Sequence, residues 1–123
     1  MSGNFIIKET NTGIKFDLKI DTGESIGSSE VYTTLQACKN GIESVKKNSV
    51  EASIEDQTLN TFAIKKNPKF EMYIDKRKQY RFRLKARNGE IILTSEAYQA
   101  KVFCEKGIAT VKKIAPDAVV YKI

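Results

Sequence analysis

The sequence predicts an α+β fold: two tandem βββαβ units forming one antiparallel sheet, with both helices packed on one face of it. Three observations carry this reading. The chain matches itself at an offset of 66 residues: between 16–56 and 82–122, 16 of 41 positions are identical without a gap. Ordinary residue frequencies would give about two or three. Short segments alternate apolar and polar residues with period two, which marks strands. One apolar stripe per unit recurs at helical spacing.

Each unit opens with a strand, Phe5–Lys8 and Phe70–Ile74. A turn follows, Thr10–Gly13 in the first unit and Asp75–Lys78 in the second. Next come Lys15–Asp21 and Tyr80–Arg87. Phe16, Leu18 and Ile20 share one face of the first, with Lys15, Asp17, Lys19 and Asp21 on the other. Tyr80, Phe82, Leu84 and Ala86 share one face of the second, leaving Arg81, Arg83, Lys85 and Arg87 opposite. Asn88-Gly89 predicts a type I′ hairpin, because both residues tolerate positive φ, and Thr22-Gly23 is its less ideal counterpart. Third strands are expected at Glu24–Ser28 and Glu90–Thr94.

The helices follow. Thr33-Thr-Leu-Gln36 has the form of a capping box with Thr33 as N-cap. Leu35, Cys38, Ile42 and Val45 make a 3-4-3 stripe, matched by Cys104, Ile108 and Val111 and expected to be joined by Phe103. Lys46-Lys47 and Lys112-Lys113 are placed in the last turns, where cations favour the helix dipole. Short closing strands are expected near Ala52–Glu55 and Ala118–Tyr121, the second after a turn at Pro116. The expected organisation is one domain over 1–123, with repeat 1 at 3–56, a connector at 57–68 and repeat 2 at 69–123. A lone unit covers only one face of a small sheet. Two packed units solve this and predict an internal pseudo-two-fold.

Composition narrows the function classes. The chain of 123 residues holds no histidine and only two cysteines, Cys38 and Cys104. The commonest general base is therefore missing, and a structural zinc site within one chain is excluded. No phosphate-loop, nucleophile or cofactor motif is present, so the expectation is a protein that is not an enzyme and takes no cofactor. The N-terminal apolar run is too short for a signal peptide and no segment suits a bilayer, which places the expected location in the cytoplasm, away from membranes.

Several conspicuous residues have bland readings. Gly41 and Gly107 fall mid-helix, where glycine costs about 1 kcal/mol against alanine. Close packing explains them better than a hinge, since they recur in register on both apolar faces. Cys38 and Cys104 read as small buried hydrophobes rather than reactive thiols. Ser29-Glu30-x-Tyr32 and Ser95-Glu96-x-Tyr98 read as turns whose Ser and Glu satisfy backbone groups while Tyr covers the core edge.

Net charge is +6, and its distribution is uneven. Residues 1–66 carry a net −1, residues 67–123 a net +7. The excess is concentrated in Lys76, Arg77, Lys78, Arg81, Arg83, Lys85 and Arg87, seven cations within twelve residues that the first unit lacks. Alternation puts the last four on one sheet face at about 6.6 Å intervals, roughly the spacing of successive phosphates on a single strand. Tyr73 is expected near this face. A basic sheet face with an aromatic suits single-stranded nucleic acid. The competing reading is a solvated face that discourages aggregation.

Phe82-Arg-Leu-Lys85-Ala-Arg-Asn-Gly89-Glu90-Ile-Ile92, Ser95-Glu-Ala-Tyr98 and Gly107-Ile-Ala-Thr-Val111-Lys-Lys resemble the YegP-like family, and the pattern reappears from Phe16 to Lys47. The resemblance implies two βββαβ motifs in one sheet with their C-terminal strands exchanged between motifs. It implies no activity and supplies no catalytic residues. Asp21-Thr22 departs from the usual Asn before Gly, and the connector is longer than typical. The resulting expectation is a small accessory protein with weak, salt-sensitive nucleic-acid binding through the second unit's basic strand. The alternative is a protein-interaction or structural module. The assembly expected is a monomer with an internal pseudo-dimer, or a weak homodimer.

Overall fold

A computed structural model describes every residue from Met1 to Ile123. Strands β1 (Gly3–Glu9), β2 (Ile14–Ile20) and β3 (Ser25–Ser28) lead to helix α1 (Leu35–Glu51) and β4 (Ser53–Asp56). The pattern repeats as β5 (Lys69–Ile74), β6 (Tyr80–Lys85), β7 (Ile91–Ser95), α2 (Lys101–Ile114), a single 3-10 turn (Ala115–Asp117) and β8 (Val119–Lys122). All eight strands join one sheet in the order β4-β5-β6-β7-β3-β2-β1-β8.

The terminal strands are exchanged. β4 of the first repeat lies beside β5 of the second, and β8 lies beside β1. The expectation of a wholly antiparallel sheet needs correcting at these edges. The six inner strands are antiparallel neighbours, whereas β4 runs parallel to β5 and β8 parallel to β1. The reason is where each helix delivers the chain. α1 crosses the sheet face from β2 to β5, and Ser53 enters beside Lys69, the start of β5. The two strands then run the same way.

The repeats meet at β3–β7, through the pairs Gly27↔Ser95 and Ser28↔Thr94. Gly27 is needed for that close approach. A Cβ there would sit 2.9 Å from the Thr94 carbonyl oxygen and 3.1 Å from Leu93 Cγ.

The core lies between the sheet and the two helices. Phe5 and Phe16 meet edge to face at 5.5 Å, and Phe16 stacks on Tyr32 at 6.3 Å. Phe70, Phe82 and Tyr98 repeat this at 5.7 and 6.4 Å. The four phenylalanines are completely buried, each stabilising the fold by about 1.5–3 kcal/mol. The stripe residues Cys38, Ile42, Val45, Cys104, Ile108 and Val111 close the core from the helix side. Phe103 does not join them, being 52% exposed.

Local details differ from the sequence reading. Thr34, not Thr33, caps α1, its hydroxyl accepting from the Ala37 amide at 3.0 Å. The helix continues to Glu51, so Lys46 and Lys47 precede the last turn, while Lys112 and Lys113 occupy it in α2. The Asn88-Gly89 hairpin is not type I′, because only Gly89 has positive φ, at 87°. The Gly89 amide donates to the Ala86 carbonyl and the Ala86 amide to the Glu90 carbonyl. This is a tight turn followed by a left-handed glycine bulge. Gly23 repeats the arrangement at φ 91°.

Candidate polyanion-binding face

The face of the sheet away from the helices carries the cations. On β6, Phe82 and Leu84 point into the core, so Arg81, Arg83 and Lys85 point outward. Tyr73, opposite Arg81 on β5, lies on the same face with the Arg83 guanidinium 4.4 Å from its ring centre. That confirms the expected position of Tyr73 and occupies one side of its ring.

The strand cations are not free. Glu71 lies opposite Arg83 on β5. It accepts from Arg83 Nε at 2.6 Å and contacts Lys85 Nζ at 3.3 Å. Arg81 Nε donates to Asp75 at 2.9 Å, and its Nη1 to the Ser95 carbonyl at 3.0 Å. Arg87 leaves the face altogether. β6 ends at Lys85, Ala86 is buried, and the Arg87 guanidinium bonds Glu51 of α1 at 2.8 Å. The row of four cations on one face is therefore corrected to three, each paired with a carboxylate.

For these three cations the partners come from β5 and its turn. Asp17 is held by Lys8 at 2.7 Å and accepts from the Ser28 hydroxyl at 2.6 Å. Glu71 also belongs to a buried network with Lys69 and Glu55. Lys69 Nζ lies 2.8 Å from Glu55 and 3.4 Å from Glu71. Glu55 further accepts from Gln57 Nε2 at 2.6 Å and from the Lys65 amide of the connector at 2.8 Å. Burial works to raise the Glu55 pKa; the bonds from Lys69, Gln57 and Lys65 outweigh it and hold the group at about 2. Glu71 is also lowered, because Arg83 and Lys85 outweigh its burial.

Lys76, Arg77 and Lys78 stand apart. They occupy the β5–β6 turn, are exposed, and form no ion pair. Asp75 builds this turn, accepting from the Arg77 and Gln79 amides at 2.8 and 3.0 Å. The Lys78 amide donates to the Asp75 carbonyl, and Lys78 takes φ 66°. A non-glycine residue there carries about 1–2 kcal/mol of strain. Tyr73, Asp75, Lys76, Arg77 and Arg81 line a shallow cleft of about 490 Å³ at this end of the face.

The Ser-Glu-x-Tyr segments serve the scaffold. Ser29 and Ser95 accept from the Phe16 and Phe82 amides at 2.9 Å, and donate to the Glu30 and Glu96 carbonyls. Glu30 and Glu96 accept from no backbone amide, contrary to expectation; Glu96 meets the Ser25 hydroxyl at 3.4 Å. Burial raises the thiols of Cys38 and Cys104, the latter to about 12, so neither is poised as a nucleophile. No group of three or more acidic or cysteine side chains is placed to hold a metal ion. No helix is long and apolar enough to cross a membrane.

Comparison with known proteins places the fold. A family model described as a domain of unknown function, DUF1508, matches residues 10–56 and again 75–121. A UPF0339 protein from the ptx operon 5′ region of Stutzerimonas stutzeri is 34% identical over 124 residues, covering 100% of this chain and 98% of that one. The UPF0339 protein YegP of Yersinia pestis is 37% identical, covering 90% of this chain and 87% of its own. The solution structure of yegP from E. coli, a protein of unknown function, superposes with a TM-score of 0.79 at 30% identity, covering 99% of this chain and 93% of that one. The repeated domain and the full-length likeness show that the chain belongs to the UPF0339 family, with its DUF1508 domain present twice in tandem.

Proposed function

We propose that the chain is a non-catalytic cytoplasmic protein that binds a single-stranded polyanion at the β5–β6 end of its outer face. The observation that carries the reading is the turn Lys76-Arg77-Lys78: three exposed cations without acidic partners, beside a cleft lined by Tyr73 and Arg81. Arg81 pairs with Asp75 while Arg83 and Lys85 share Glu71, and these ties stiffen the platform. The anchor thus moves from the strand to the turn. Phosphates supply the attraction and the face of Tyr73 turned away from Arg83 a stacking surface, a pairing that discriminates little between sequences.

The test is fluorescence anisotropy of labelled single-stranded RNA and DNA, titrated at low and near-physiological salt. About three phosphate contacts predict a log–log salt slope of about −2. The triple variant Lys76→Ser/Arg77→Ser/Lys78→Ser loses the binding, while Arg87→Ser keeps it. No binding of the native protein at low salt would sink the proposal.

A second reading, docking of a protein partner, is favoured by Val102 and Phe103. They are 51% and 52% exposed on α2 where α1 carries Gln36 and Ala37. Such contact would be nearly insensitive to salt.

A further inference from the structure

The connector between the repeats brings a second pair of free cations onto the outer face. The Lys65 amide donates to Glu55 Oε1 at 2.8 Å. Glu55 lies level with Glu71, whose carboxylate meets Arg83 on that face, so the connector is pinned over β4 and β5. Further on, the Asn67 side-chain nitrogen lies 3.4 Å from where a Cβ on Gly89 would sit, in the β6–β7 turn. Lys65 and Lys66 therefore stand toward the Lys85 end of β6, while Lys76, Arg77 and Lys78 occupy the turn at its Tyr80 end. Both connector lysines are exposed and form no ion pair.

The ground between the two clusters stays positive. Lys69, Arg83 and Lys85 meet Glu55 and Glu71, three cations against two carboxylates. Tyr73 adds the ring face turned away from Arg83. The flank is different. Glu30 and Glu96, exposed and without ion pairs, line a cleft with Arg81 beside the β3–β7 junction. A phosphate chain crossing toward the first repeat would meet these carboxylates, whereas one lying lengthwise over β6 would meet cations at both ends. β6 is six residues long, about 17 Å at strand rise and roughly three phosphate intervals.

On the reading that the β5–β6 turn holds phosphate, we propose that Lys65 and Lys66 are a second anchor for the same single-stranded nucleic acid, which lies along β6 between the two. The connector thus sets the length of the site. A strand of about four nucleotides, with three internucleotide phosphates, reaches the turn alone. A strand of about ten reaches both anchors, and each added phosphate contact steepens its salt dependence. A footprint of this order is ordinary for one small β domain on a single strand.

The test is fluorescence anisotropy of labelled oligothymidylates of about four and about ten nucleotides, titrated with the full chain over a salt series. Five contacts predict a log–log slope of about −3.5 for the longer strand, against about −2 for the shorter. Lys65→Ser/Lys66→Ser is expected to return the longer strand to about −2 and to leave the shorter unchanged. Lys39→Ser/Lys47→Ser removes two exposed cations from α1 and is expected to keep the steeper slope, which separates a local anchor from net charge. Three results would each overturn the second anchor and leave the role of the turn standing: equal slopes for the two strands, a steep slope that survives Lys65→Ser/Lys66→Ser, or an equal loss in the α1 variant. No binding of either strand at low salt would remove the role of the turn, and the second anchor with it.

Discussion

Gly107 and Tyr98 show what a single residue contributes here. A Cβ on Gly107 would lie 2.5 Å from the Tyr98 hydroxyl oxygen and 2.9 Å from Cζ, and Gly41 repeats the conflict with Tyr32. Gly107→Ala should therefore destabilise the fold by about 1–3 kcal/mol, and adding Tyr98→Phe should recover part of it. Urea denaturation of both variants checks this; an additive double variant would refute the contact. Sequence spacing showed that these glycines serve packing. It could not show that a tyrosine of the same repeat is the neighbour, since that depends on how the turn folds the ring back over the helix. Lys78 offers a sharper separation. Relieving its left-handed strain with Lys78→Gly should raise stability by about 1 kcal/mol while weakening polyanion binding. A purely structural turn would gain stability and leave binding unchanged. The buried thiols should react with Ellman's reagent at pH 8 only as fast as the protein opens.

At the scale of elements, β4 depends on its carboxylate. The folded pKa of Glu55 lies near 2, below the ordinary glutamate value of 4.5. Its stabilising contribution is therefore complete above about pH 4.5 and is lost as pH falls toward 2. Thermal unfolding between pH 6 and 2.5 should show this decline, flattened in Glu55→Gln. Glu55→Ala should cost about 3–5 kcal/mol, because Lys69 stays buried with its main partner gone. The equivalent Tyr121→Ala, half exposed on β8, should cost under about 1 kcal/mol. Strand and helix placement was legible in period and spacing, and the exchange of closing strands was legible through family resemblance. The ion pairs were not, because a partner on the next strand appears only with the register. In the register Phe70 faces Leu84 and Met72 faces Phe82, which sets Glu71 opposite Arg83; period two fixes the face each residue takes and not this register. The parallel edges had no signal in the strands themselves, since they follow from the path of the helices.

Across the whole molecule, the net +7 of the second half does not spread evenly. Carboxylates of β5, its turn and α1 take up the cations of β6 and Arg87, and leave the β5–β6 turn as an exposed cationic tip. Charge counting located the basic segment from Lys76 to Arg87 but not which of its cations are held by carboxylates. The most direct test is a ¹⁵N-HSQC titration of the native protein with a single-stranded tetranucleotide at low salt. The account predicts progressive shifts confined to Tyr73 and residues 75–81, reversed by added salt. Shifts centred on α2 or β8, or none at all, would contradict it.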